Sequence, residues 1–181
     1  MRRISSNFVS NFGEKQSAHC AGNQALMTRV LILNGPNLNT LGMREPQLYG
    51  TATLADIEAM CRRTADSMQA DVCFFQSNHE GELVEEIHRH APWLNDKDAA
   101  QAIVFNAGAY THTSIALRDA LSAVGLPFVE VHISNVHARE EFRHHSMLAD
   151  KASALVIGMG IDGYDYALQH LVKKIRKQET E

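Results

Sequence analysis

From Met27 onward the chain alternates between short apolar runs and longer stretches in which apolar side chains recur every three or four positions. The runs Val30–Leu33, Val72–Phe75, Ile103–Phe105, Phe128–Val131 and Ala154–Ile157 are almost unbroken in apolar residues, as expected of strands covered on both faces. The stretches near 53–69, 80–90, 112–124 and 162–177 carry the helical period instead. Strands that alternate with helices need crossover connections, so the pattern predicts a parallel sheet with helices on both sides.

The predicted architecture is α/β: a flavodoxin-like three-layer α/β/α sandwich around a five-stranded parallel sheet. Ligands of such sheets sit beyond the carboxyl ends of the strands, near a change in strand order. The polar residues concentrate at those ends, in Asn34-Gly35-Pro36-Asn37-Leu38-Asn39, Gln76-Ser77-Asn78-His79-Glu80, the segment from Asn106 to Ser114, and His132-Ile133-Ser134-Asn135. The opposite ends, such as Ala70-Asp71 and Gly125-Leu126-Pro127, read as turns.

Residues 1–26 are rich in Ser, Asn and Gln without sustained periodicity, and read as a flexible extension ahead of a single catalytic domain over 27–181. Arg2 and Arg3 among serines weakly suggest a transit peptide, a non-specific pattern. A chain of 181 residues, 45% hydrophobic, suffices for one ordinary core. Its formal charge of −4 argues against nucleic acid as a partner. No apolar run is long enough to cross a bilayer, so a cytoplasmic protein without membrane contact is expected. Cys20, Cys61 and Cys73 form no CxxC pair, and the last two fall in helix and strand patterns as small apolar fillers.

Each candidate for chemistry has a plainer reading beside it. Asn34-Gly35-Pro36-Asn37 alone is turn chemistry, although Asn37 and Asn39 place amides just after a buried strand. The segment from Leu41 to Tyr49 is too rich in special residues to be helical and predicts a mobile loop that could serve as a lid. Within it the Arg44 guanidinium can approach the Tyr49 phenol and favour its ionised form, though surface Arg and Tyr are more often solubilising or packing groups.

Glu130 and His132 alternate with Val129 and Val131, so they project from one face of their strand. A carboxylate beside an imidazole fixes its tautomer and favours its protonated form, which suits His132 to general acid catalysis; a satisfied polar pair is the alternative. Asn106 and His112 point toward ligand recognition, while Thr111 and Thr113 read as helix caps. Arg118-Asp119 reads as a solvated or interface charge pair.

Ten histidines invite a metal hypothesis, but no HExxH or Cys/His quartet appears, and no metal site is expected. Neither GxxxxGK[ST] nor GxGxxG occurs, so nucleotide binding lacks support, and no GxSxG elbow is present. A flavin- or anion-binding module and a metal-dependent hydrolase remain as alternatives, but both leave Arg44–Tyr49 and Glu130–His132 unexplained.

Taken together, these loops resemble the type II 3-dehydroquinate dehydratases. The resemblance rests on Asn34 to Asn39, Arg44-Glu45-Pro46 with Tyr49-Gly50, Gln76-Ser77-Asn78, Asn106-Ala107-Gly108 with Thr111 to Ser114, Glu130 to Asn135, and His137-Ala138-Arg139-Glu140 with Phe142-Arg143. It runs in order over residues 29 to about 170. It implies a lyase that reversibly dehydrates 3-dehydroquinate to 3-dehydroshikimate through an enolate, without a cofactor. Tyr49 would be the proton acceptor, with Arg44 lowering its pKa and stabilising developing charge. His132 would protonate the departing hydroxyl, Glu130 would orient it, and Asn37 would hold a water at the enolate. Asn106, His112, Ile133 (through its backbone), Ser134 and Arg143 would bind substrate.

The resemblance further implies a homododecamer of trimers in which Asp119 reaches a neighbouring subunit's site. It implies a place in the shikimate pathway and aromatic amino acid biosynthesis, although quinate breakdown uses the same dehydration and the sequence does not separate the two. No lysine falls in the strand-end loops, which disfavours the Schiff-base route of the type I enzymes. The chain departs from the family pattern in residues 1–26 and in Asp96-Lys97-Asp98, expected to alter only a surface loop.

Overall fold

The computed structural model describes residues 27–43, 51–178 and 180. The extension 1–26 and most of the expected lid, with Arg44 and Tyr49, lie outside the described residues. Five parallel strands form one sheet: β1 (Arg29–Asn34), β2 (Asp71–Gln76), β3 (Ala102–Asn106), β4 (Phe128–His132) and β5 (Ala154–Ile157), in the order β2-β1-β3-β4-β5. The α-helices among the described residues are α1 (Leu54–Ser67), α2 (Glu80–Arg89), α3 (Ile115–Val124) and α4 (Asp162–Gln178).

The alternation of side chains along each strand divides the core in two. Val30 and Ile32 of β1 pack with Ile57, Cys61 and Ala65 of α1 and with Leu168, Leu171 and Val172 of α4. Leu31 and Leu33 face the other way, onto Leu83 and Ile87 of α2 and Leu117 and Leu121 of α3. This is the expected flavodoxin-like α/β/α sandwich. Cys61 and Cys73 are buried, and burial pushes the Cys61 thiol up to about 12, leaving it an inert filler.

Strand register aligns the polar strand ends. Asn34 pairs with Gln76 on one side and with Asn106 on the other, so three side-chain amides end abreast on neighbouring strands. The strand order reverses direction between β1 and β3, which makes their carboxyl ends the crevice of the sheet.

Some local expectations need correction. The third helix begins at Ile115, after a 3-10 turn over Gly108–His112, and its cap is Ser114, which accepts from the Leu117 N–H at 2.9 Å. Thr111 is therefore no cap: its hydroxyl donates to Glu130. Arg118 does not pair with Asp119 but with Asp150, since helix curvature points the neighbouring side chains apart. Asp71 is more than a turn residue, standing 2.7 Å from Arg29 Nε, and Asp98 accepts from Arg29 Nη1 at 2.9 Å. The Asp96-Lys97-Asp98 link is thus fastened to the start of β1.

Candidate active site

A cleft of about 140 Å³ lies over the carboxyl ends of β1, β3 and β4. The first strand end contributes Pro36, Asn37, Leu38 and Leu41; the second Asn106, Gly108 and His112; the third His132, Ile133, Ser134, Arg139 and Arg143. The cleft therefore gathers Asn37, Asn106, His112, His132, Ile133, Ser134 and Arg143 from three strand ends. Arg139 is an additional cation there that residue spacing gave no reason to single out. Asp119 is exposed on α3 and does not line this cleft.

The first wall depends on a close backbone approach. The Gly35 N–H donates to the Asn106 carbonyl at 2.7 Å, and a Cβ at Gly35 would stand 2.7 Å from the Ala107 carbonyl carbon. Only glycine lets the two strand ends meet this tightly. Asn37 follows in the left-handed region at φ 67°, where asparagine is among the better-tolerated side chains. Its N–H donates to Asn78 Oδ1 at 2.8 Å, and the Asn78 carbonyl accepts from the Tyr110 hydroxyl at 2.8 Å. Asn78 thus holds the conformation that presents Asn37.

Beneath the cleft, Asn106 belongs to a buried network. Its Nδ2 donates to the Tyr164 hydroxyl at 2.9 Å, and that hydroxyl donates to Asn34 Oδ1 at 2.6 Å. The Asn106 Oδ1 accepts from the Gly108 N–H at 3.2 Å. Burial raises the Tyr164 phenol above its usual range, so it stays a neutral donor and acceptor. Asn34 and Asn78 stood out in the sequence only as members of strand-end loops, without a role of their own, and Tyr164 not at all; a tyrosine rather than a phenylalanine on a core-facing helix stripe is the signal that a buried partner exists.

The third wall carries the titratable pair. His132 Nε2 lies 2.7 Å from Glu130 Oε1, and Glu130 is wholly inaccessible to solvent. The carboxylate accepts also from the hydroxyls of Thr111 and Ser146, the latter 2.9 Å from each carboxylate oxygen. Burial by itself would raise the Glu130 carboxyl, but the hydrogen bonds from His132, Thr111 and Ser146 and the His132 charge hold it below its ordinary value. With Nε2 directed at the carboxylate, Nδ1 is the imidazole nitrogen left for the cleft.

The His112 ring is stacked against His132 with centroids 6.4 Å apart, and its Nδ1 donates to the His145 carbonyl at 2.7 Å. Burial lowers its proton affinity; the His145 carbonyl opposes this, and nearby His132 and Arg143 add to the lowering. His112 accordingly presents a neutral Nε2 to a ligand. The Ile133 carbonyl is occupied by the Gly160 N–H at 3.0 Å, so a backbone role in the cleft falls to the Ile133 N–H. Arg143, 2.8 Å from Glu140, and Arg139 supply positive charge for an anionic ligand.

Among the described residues no group of His, Cys, Asp and Glu is arranged to hold a metal ion. No described lysine or tyrosine lines the cleft. What the arrangement can do is bind a small carboxylate, donate to its hydroxyls, and transfer a proton through a histidine backed by a carboxylate.

The sequence profile of the family described as Dehydroquinase class II matches residues 28–172. The chain belongs to that family. Class II dehydroquinases are enzymes that dehydrate 3-dehydroquinate. Among curated relatives, the Catabolic 3-dehydroquinase 2 of Aspergillus flavus is 56% identical over 149 residues, covering 82% of this chain and 95% of its own. The Catabolic 3-dehydroquinase of Pyricularia oryzae is 53% identical, covering 82% of this chain and 92% of its own. The crystal structure of the type II dehydroquinase of Propionibacterium acnes superposes with a TM-score of 0.75 at 39% identity, covering 83% of this chain and 99% of that one.

Proposed function

We propose that this dehydroquinase converts 3-dehydroquinate to 3-dehydroshikimate through an enolate, with Tyr49 as a tyrosinate base and His132 as the acid, and without a cofactor. The observation that carries the proposal is the buried Glu130–His132 pair opening onto a cleft with Arg139 and Arg143. Elimination of a β-hydroxyl from a ketone needs a base at the carbon beside the carbonyl, stabilisation of the enolate oxygen, and an acid for the leaving hydroxyl.

His132 meets the last need: Glu130 holds its Nε2, and Nδ1 delivers the proton. Asn37 holds a water at the enolate oxygen. Asn106, a neutral His112, the Ile133 N–H, Ser134 and Arg143 bind the substrate's hydroxyls and carboxylate. Arg44 acts on Tyr49, since a phenol with an ordinary pKa of about 10 is scarcely ionised at neutral pH. Support for Tyr49 comes from the other tyrosines. Tyr110 is engaged with Asn78, Tyr164 is locked neutral in the core, and Tyr166 is exposed on α4 beside Asp165, away from the cleft. Leu41 lines the cleft three residues before Arg44.

The same proposal includes a homododecamer of trimers, with Asp119 reaching a neighbouring subunit's site, and a cytoplasmic location. No described helix is long and apolar enough to cross a membrane, and the net charge of −4 favours neither nucleic acid nor anionic lipid. The relatives' catabolic names favour a catabolic role over a biosynthetic one.

The test is Tyr49→Phe. Turnover should fall by several orders of magnitude while the variant still binds substrate in an equilibrium assay. A near wild-type rate would remove Tyr49 as the base.

A further inference from the structure

We infer that Ser146 is a positioning residue for the general acid: its hydroxyl fixes the Glu130 carboxylate against which His132 is set, while the preceding carbonyl fixes His112. The inference rests on the reading of His132 as the proton donor. Ser146 belongs to an irregular segment after β4, and neither sequence period nor motif distinguishes it.

The hydrogen bonds around its oxygen leave little freedom. Ser146 Oγ accepts from the Leu148 N–H and the Ala149 N–H, both at 3.0 Å. A hydroxyl oxygen has two acceptor lone pairs, so both are taken and its one proton must be given away. The acceptors in reach are the two oxygens of Glu130, each at 2.9 Å. Thr111 donates its proton to the same carboxylate, and the 2.8 Å approach of the two hydroxyl oxygens follows from both aiming at one group.

Glu130 therefore meets donors on three sides, from Ser146, Thr111 and His132, and each donor has its proton turned inward. A protonated carboxyl would face one of them with a hydrogen. The environment thus selects the ionised form and a single rotamer, which sets where His132 Nε2 must point.

The segment around Ser146 is stitched to the other side of the cleft as well. The His145 carbonyl accepts from His112 Nδ1 at 2.7 Å, and the Met147 N–H donates to the Thr111 carbonyl at 2.7 Å. The Met147 carbonyl accepts from Arg118 Nη1 at 2.7 Å, and Arg118 Nη2 binds Asp150 at 2.7 Å. One strap, residues 145–150, consequently registers the acid and a substrate-binding ring relative to each other. Its position follows the start of α3, through the Thr111 carbonyl and Arg118.

The experiment compares wild type, Ser146→Ala and Ser146→Thr, with Thr111→Val as an isosteric second removal of a donor to Glu130. Each is checked for folding by circular dichroism, then assayed with 3-dehydroquinate and with substrate deuterated at the carbon beside the ketone. Loss of a hydrogen bond to a buried charge corresponds to a fall in kcat of about tenfold or more in Ser146→Ala. KM should stay within about twofold, and Ser146→Thr should recover most of the rate. Because protonation of the leaving hydroxyl becomes slower than proton abstraction, the deuterium isotope effect on kcat should shrink in Ser146→Ala and Thr111→Val.

Folded Ser146→Ala with a wild-type kcat would overturn the inference. So would a slowed variant whose isotope effect is unchanged or larger, since that would put the damage on the base. Turnover by wild type is the separate control: if it forms no product, the dehydratase reading itself has failed, whatever the variants do.

Discussion

Nε2 of His132 and Oε1 of Glu130 stand 2.7 Å apart on one face of β4, with the carboxylate sealed from solvent and the imidazole only 8% exposed. A buried carboxylate is costly unless it is paired and fully hydrogen-bonded. Here it has hydroxyl donors as well as the imidazole, so the pair is a stable fixture whose open end is Nδ1 in the cleft.

Replacement of Glu130 by Gln should therefore damage both rate and acid stability. The amide places its own N–H protons against donors, and kcat should fall at least tenfold as His132 loses its orientation, on the scale of about 1.4 kcal/mol per tenfold. The carboxyl has its folded pKa lowered from 4.5, so its stabilising contribution is complete above that pH and is lost as pH falls through the folded value. Thermal unfolding followed between about pH 6 and 3 should show a steeper acid loss in wild type than in Glu130→Gln. Parallel curves would mean that the pair contributes nothing to acid sensitivity.

Tyr164→Phe should leave Asn106 Nδ2 and Asn34 Oδ1 without their shared partner. An unmet buried polar group costs about 1–3 kcal/mol, which for a domain of this size lowers the melting temperature by roughly 2–12 °C. Since Asn106 is a substrate-binding group in this account, KM should rise more than kcat falls. Calorimetry and steady-state kinetics on the same preparation separate these effects.

Two glycines should respond in opposite ways to alanine. At Gly35 a Cβ would press on the Ala107 carbonyl, displacing the Asn37 loop and costing at least about 1–3 kcal/mol of stability together with activity. At Gly81 in the first turn of α2 nothing stands within 4 Å, and alanine should be neutral or stabilise by up to about 1 kcal/mol. Chemical denaturation of both variants checks the pair of signs.

The strands and their neighbours were legible because periodicity of 2 or 3.6 reports burial directly. For the same reason Glu130 and His132 were legible: two polar side chains at alternate positions of a buried strand must share a face and need each other. Asn37 and Asn106 could be sought because topology dictates which loops converge, whereas Arg143 was indicated only by the family resemblance. Ser146, by contrast, lies 16 residues beyond Glu130 in a segment without regular period, so its contact with that carboxylate depends on tertiary packing alone. Thr111 read as a cap because a hydroxyl ahead of a helix usually is one; the intervening 3-10 turn moved that task to Ser114 and freed Thr111 for Glu130. Arg118 found Asp150 rather than its neighbour Asp119 for a similar reason: the strap from β4 passes over α3, and chain proximity carries no information about that.

The proposed reaction is a dehydration run by side chains of this cleft, with no imine. It is tested most directly by mixing the purified protein with 3-dehydroquinate and following the ultraviolet absorbance of the conjugated enone, with parallel samples containing chelator or borohydride. Under the proposed reaction the absorbance grows and neither addition stops it. Folded protein that forms no enone, or a rate abolished by borohydride or restored only by added metal, would contradict it.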